Sequence, residues 1–210
     1  MAAREGEKRL RKVGHVRGDR WERFDRLQRN LGPFLRGKPK RAPIERFRSY
    51  VDLKDAEATR PPERSDLLRL CAELKRLRAQ YIVIGGLAMN ELGLVRVTED
   101  IDLLIEASAE NQQRVRDALR ILPDRAIDEL GPEEDLGEWV VVRVNDEITV
   151  DLMTSACGVT YSEAENGVAV RTIGGVEIPF ANRDLMIRLK QSDREKDRID
   201  LEYLLHGPRP

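Results

Sequence analysis

YIVIGGLAMNELGLVRVTEDIDLLI, residues 81–105, is the stretch on which the fold turns. It begins with an apolar run, breaks at Gly85-Gly86, and after a spacer of 13 residues reaches Asp100-Ile101-Asp102 set among aliphatics. Residues 81–84 read as a buried strand and 100–105 as a second one. Residues i and i+2 of a strand project from one face, so Asp100 and Asp102 present their carboxylates side by side. Acids placed between Ile, Val and Leu need something to compensate their charge. Just past a glycine turn, such a pair is a seat for a hard divalent cation. A third acid in a similar setting, Asp151 in ITVDLM, completes the set.

The flanking segments supply the rest of a domain. Ser65 predicts the N-cap of a helix over 66–78, whose apolar stripe is Leu67, Leu70, Cys71, Leu74 and Leu77. After Gly85-Gly86 a short helix is expected over 87–92, closed by Gly93. Ser108 caps a helix that reaches about residue 122, and the acidic stretch 123–138 reads as irregular. Strands over 139–144 and 147–153 meet at Asn145-Asp146, and strands over 168–173 and 176–179 meet at Gly174-Gly175. Helices over 183–190 and 194–205 finish the chain. The pattern is α+β, a small mixed β-sheet flanked by helices.

Charge divides the 210 residues unevenly. Residues 1–60 carry 18 Lys/Arg and 9 Asp/Glu, whereas 61–210 carry 19 and 29, so a net charge of -1 hides a basic extension on an acidic domain. We read the chain as a basic N-terminal extension, 1–60, partly helical or without fixed structure, and a site-bearing domain, 61–210. Residues 1–16 lack apolar periodicity. Trp21, Phe24, Leu27 and Leu31 line one face of an expected amphipathic helix, and a second short helix is expected over 44–51. The extension suits contact with RNA phosphates, docking on the domain, or self-association into a homo-oligomer. Cys71 and Cys157 have no metal-ligand spacing, and no apolar run approaches the length of a membrane span. A reducing cytoplasm is the expected compartment. His15 and His206 lie away from every motif, and Ser155 and Cys157 have no visible base to activate them.

Ile84-Gly85-Gly86, Asp100-Ile101-Asp102-Leu103 and Val150-Asp151-Leu152 together resemble the nucleotidyltransferase superfamily of DNA polymerase beta type. The fuller string GGLA…RVTEDIDLL is similar to the bacterial minimal nucleotidyltransferases of the AbiEii toxin type. The tail NRDLMIRLKQSDREKDRIDLEYLL, 182–205, is similar to that family's Lys-then-Arg-x-Lys-Asp-x-x-Asp helices. The resemblance covers 65–205 and leaves out the first sixty residues. It implies transfer of a nucleoside monophosphate from an NTP, with Mg²⁺ or Mn²⁺, to a macromolecular acceptor such as the tRNA 3′ end. It also implies a toxin-like enzyme with a cognate antitoxin as partner. Asp100, Asp102 and Asp151 would hold the metal, and Asp151 is also placed to take the acceptor's proton. Lys190 would contact the triphosphate, Asp197 would help hold the site, and Arg194 would stand with them at the nucleotide.

The residues support these roles to different degrees. Gly85 and Gly86 let backbone N–H groups approach phosphate oxygens. The superfamily often has Ser at the second position, and here Gly86 leaves the backbone donors alone. Arg96, Thr98, Asp100 and Asp102 share one face of an extended segment. Arg96 can reach phosphates or form a structural ion pair, and Thr98 can hydrogen-bond Asp100. Arg194–Asp197 and Lys196–Asp200 have the spacing of helix ion pairs. Two further readings stay open. One is a non-catalytic nucleotide- or RNA-binding module, or an antitoxin-like partner. The other is transfer to protein hydroxyls or to small molecules of the aminoglycoside kind.

Overall fold

The computed structural model describes residues 9–14 and 59–208 of the protein. Its sheet is built around β2 (Tyr81–Val83), which is buried along its whole length. β2 runs antiparallel to β3 (Asp100–Ile105), with Val83 opposite Leu103. β3 lies parallel to β5 (Thr149–Met153), and β5 forms an antiparallel hairpin with β4 (Trp139–Asn145). On the other side, β2 is parallel to β9 (Val176–Ala181), which is antiparallel to β8 (Val168–Ile173). An outer strand, β1 (Arg9–Gly14), pairs in parallel with β4. The order is β1-β4-β5-β3-β2-β9-β8, seven strands of mixed direction. A separate short hairpin joins β6 (Ser155–Ala156) to β7 (Val159–Thr160).

Among the described residues, six α-helices accompany the sheet: α1 (Arg64–Arg76), α2 (Gly85–Glu91), α3 (Ala109–Leu119), α4 (Tyr161–Ala164), α5 (Arg183–Leu189) and α6 (Glu195–His206). α1 packs on α3 and β9, and its expected stripe is buried at Leu67, Leu70, Cys71 and Leu74. Ile101 and Leu103 alternate with the two aspartates of β3 and are wholly buried on the opposite face. The α+β expectation therefore holds, with a mixed sheet flanked by helices.

Four local readings change. Residues 9–14 form β1 although their sequence shows no strand alternation. β4 supplies the backbone partners that the sequence could not reveal. α1 starts at Arg64, with Glu63 rather than Ser65 at its cap. The Asp66 carboxylate accepts the Glu63 N–H at 2.8 Å and is gripped by Arg60 at 2.6 and 2.8 Å, which sets the helix start. Gly85 and Gly86 fall inside the first turn of α2 rather than before it. The hairpin β6–β7 and the single turn of α4 were not foreseen from the sequence. The Trp21 stripe and the helix expected over 44–51 lie outside the described residues.

α6 turns two aspartates inward. Its buried positions are Asp197, Asp200 and Leu204, while Ile199 and Leu205 are exposed. Two aspartates on the inner stripe require cations beneath them.

Candidate active site

The β3–β5 ladder sets the acids. Asp102 and Asp151 are register partners on adjacent parallel strands, so both project from one face, with Asp100 two residues back on the same face. One carboxylate oxygen from each of Asp100, Asp102 and Asp151 lies within 4.8 Å of the others. Among the described residues no other group of three acid, His or Cys side chains comes together in this way.

The glycines account for how close the chain comes to these acids. Gly85 has φ +64°, in the left-handed region, and a Cβ there would sit 1.9 Å from Asp102 Oδ2. A Cβ on Gly86 would sit 2.4 Å from Thr98 Oγ1. The first turn of α2 therefore rests directly on Asp102 and Thr98. Thr98 Oγ1 lies 3.4 Å from Asp100 Oδ1 and 3.2 Å from the Asp100 carbonyl, within reach of donating to either.

The electrostatics of the cluster are strained. Burial pushes the Asp102 carboxyl up to about 8, and the negative charges of Asp100 and Asp151 push the same way. Lys190 and Arg143 oppose that push without cancelling it. Burial also raises Asp151, against a strong opposing hydrogen bond from Arg143. Arg143 Nε and Nη2 reach the two oxygens of Asp151 at 2.7 and 2.5 Å, and Nη2 reaches Asp100 at 3.1 Å. The sequence reading missed Arg143. Its signal was a lone arginine in the apolar strand WVVVRVN, which needs an acid opposite it as surely as the acids need a cation.

The remaining expected residues gather in a second cluster. Lys190 Nζ lies 2.9 Å from Asp197 and 2.7 Å from Asp200, with all three side chains at most 7% exposed. Arg194 adds a contact to Asp197 at 2.6 Å, and the Ser192 hydroxyl donates to the same carboxylate. Burial pushes Asp197 up, but Ser192, Lys190 and Arg194 together hold it below the usual carboxylate range. Arg96 pairs with Asp200 at 3.0 Å, not with the acids of β3. Its Nη2 would lie 3.9 Å from a Cβ on Gly86, so its guanidinium still borders the glycine turn. Asp200 takes Lys190 as its partner in place of the expected Lys196. Asp200 links Lys190 to Arg96, a connection the sequence did not reveal. Asp200 Oδ1 and Arg96 Nε are buried with no hydrogen-bond partner.

No family model and no curated protein matches the sequence. Among solved structures, a lincomycin-bound lincosamide antibiotic adenylyltransferase, LnuA, aligns over 70% of this chain and 99% of its own, at 15% identity and a TM-score of 0.44. The functional reading rests on the acids and their surroundings, not on that likeness.

Proposed function

We propose that the protein is a nucleotidyltransferase that moves a nucleoside monophosphate from an NTP to a hydroxyl of a macromolecule. The observation that carries this reading is the convergence of Asp100, Asp102 and Asp151 within 4.8 Å, beneath a glycine turn that leaves no room for a side chain. Three carboxylates are the donor set of a hard cation, and the burial and mutual repulsion that raise Asp102 are what such a cation relieves. The residues fit Mg²⁺, or Mn²⁺ in its place. When bound by these acids it would supply charge neutralisation of the triphosphate and alignment of the reacting oxygens.

The chain's own residues do the rest. Gly85 and Gly86 allow the triphosphate to lie close to the backbone. Lys190 and Arg96 bring positive charge to that side. Asp151 stands on the acceptor side, held in its rotamer by Arg143. The acceptor hydroxyl oxygen forms a bond to the α-phosphorus as the bond to the β-phosphate oxygen breaks. Pyrophosphate leaves, and the hydroxyl proton passes to Asp151 or to solvent. On the sequence resemblance, the acceptor is the 3′ end of tRNA, and the enzyme is the toxin of a pair whose antitoxin binds it in the cytoplasm.

One observation favours the non-catalytic alternative. Arg143 holds both oxygens of Asp151, which lowers the need for a metal there. The deciding experiment presents each α-labelled NTP with Mg²⁺ to total RNA, total protein and an aminoglycoside. Label on RNA that disappears with Asp100→Ala/Asp102→Ala supports the proposal. Nucleotide binding with no label on any acceptor supports the non-catalytic module.

A further inference from the structure

The row of side chains that contains Asp102 does not end at the acids. Asp102 is the register partner of Asp151, Asp151 of Arg143, and Arg143 of Lys12. Register partners project from the same face of a sheet in both parallel and antiparallel pairs. Lys12, Arg143, Asp151 and Asp102 therefore form one row across β1, β4, β5 and β3. Adjacent strands lie about 4.8 Å apart, which puts the Lys12 backbone about 10 Å from that of Asp151. A lysine stem spans much of that interval, and the Lys12 ammonium does pull on the Asp151 carboxyl.

The acids thus have cations on two sides. Arg96 borders the glycine turn and Lys190 acts on Asp102. Arg143 and Lys12 stand on the opposite side, beyond Asp151. A triphosphate lying along the glycine turn meets the first set. The second set faces whatever lies against Asp151.

We propose that Lys12, delivered by the N-terminal strand to the row of the acid site, positions the acceptor by holding a phosphate that the acceptor carries. This rests on the transferase reading above. A lysine ammonium suits a phosphate oxygen as a point charge. A polycationic acceptor would instead meet the like charge of the Lys12 ammonium. The acceptor is therefore a phosphate-bearing hydroxyl compound, either the end of a polynucleotide or a small phosphorylated molecule.

The test uses the full chain and two lysine variants, Lys12→Gln and Lys12→Arg. Arg11→Gln is the control. It removes the same charge from the opposite face of the same strand, where Arg11 pairs with Glu134 at 2.7 Å. Binding of a fluorescein-labelled RNA oligonucleotide is followed by anisotropy across a KCl series. Lys12→Gln is expected to weaken binding roughly fivefold and to lower the salt slope by about one, with Lys12→Arg restoring both. In labelled transfer, Lys12→Gln should raise KM for the acceptor while KM for the NTP and kcat stay within about twofold. Competition by a mononucleotide against the oligonucleotide separates the small acceptor from the chain end. Equal effects of Lys12→Gln and Arg11→Gln overturn the proposal, as does transfer to an aminoglycoside that Lys12→Gln leaves unchanged. A wild-type chain that labels no acceptor sinks the transferase reading instead, and the anisotropy series still decides Lys12.

Discussion

Two charge clusters lie within this fold, and they are neutralised very differently. In the C-terminal cluster two aspartates, Asp197 and Asp200, meet three cations, Lys190, Arg194 and Arg96. In the sheet cluster, of the three aspartates Asp100, Asp102 and Asp151, the Arg143 guanidinium pairs with Asp100 and Asp151, with Lys12 at one remove. The result is visible in the carboxyls themselves. Asp197 is held below its usual range, whereas Asp102 is pushed up to about 8. A satisfied cluster holds structure, whereas an under-neutralised set of acids offers ligand oxygens to a cation.

The sharpest break of this contrast is Asp102→Asn. It should lower transfer at least about 10³-fold by removing a metal-binding oxygen. Thermal melting of the same variant should be unchanged or raised, because one of three crowded charges is gone. Near-normal transfer by this variant with Mg²⁺ present would mean the site is misassigned. Lys190→Met works on the other cluster. It leaves Asp197 and Asp200 buried without their shared cation and should cost about 3–5 kcal/mol in urea unfolding. A loss below about 1 kcal/mol would show that the cluster is not the structural one.

Gly85→Ala sharpens the comparison at the point of contact. Its methyl would press on Asp102 Oδ2 from a left-handed backbone, so we expect about 1–3 kcal/mol of destabilisation and a loss of metal affinity. Wild-type Mg²⁺ affinity in this variant would show that the glycine turn does not press on the metal-holding acids.

The comparison also extends to pH. Asp102 in metal-free protein carries a raised folded-state value, so the fold binds more protons than the unfolded chain between about pH 4 and 8. Stability from this group is present at low pH and lost as pH rises toward 8. Asp197 has the opposite sign. Its contribution is complete above the ordinary carboxylate range and lost as pH falls through its lowered value. Urea unfolding in EDTA should therefore show a decline toward pH 8 that Asp102→Asn removes. A decline that persists in Asp102→Asn belongs to other groups.

Much of the sheet cluster was legible because its logic is local. Asp100 and Asp102 share a face by the two-residue period of any strand, and Asp151 betrays itself as an acid among aliphatics. Arg143 and Lys12 were not legible, since their place beside the acids depends on how β4 and β1 register against β5, and register is a non-local choice. The inward face of the C-terminal helix was not legible for a related reason. Asp197 and Asp200 lie on its inner stripe because Lys190 and Arg96, from distant segments, meet them there, while Ile199 and Leu205 are exposed.

The amino-acid order alone determined the α+β pattern, the glycine turn, and the three acids with their spacing, because each follows from periods of two and 3.6 residues within one segment. The meeting of those acids within 4.8 Å was decided only when β3 and β5 paired in register. The tertiary structure also chose the cations that face them, since ladder pairing joins segments more than a hundred residues apart, from Lys12 through Arg143 to Asp102.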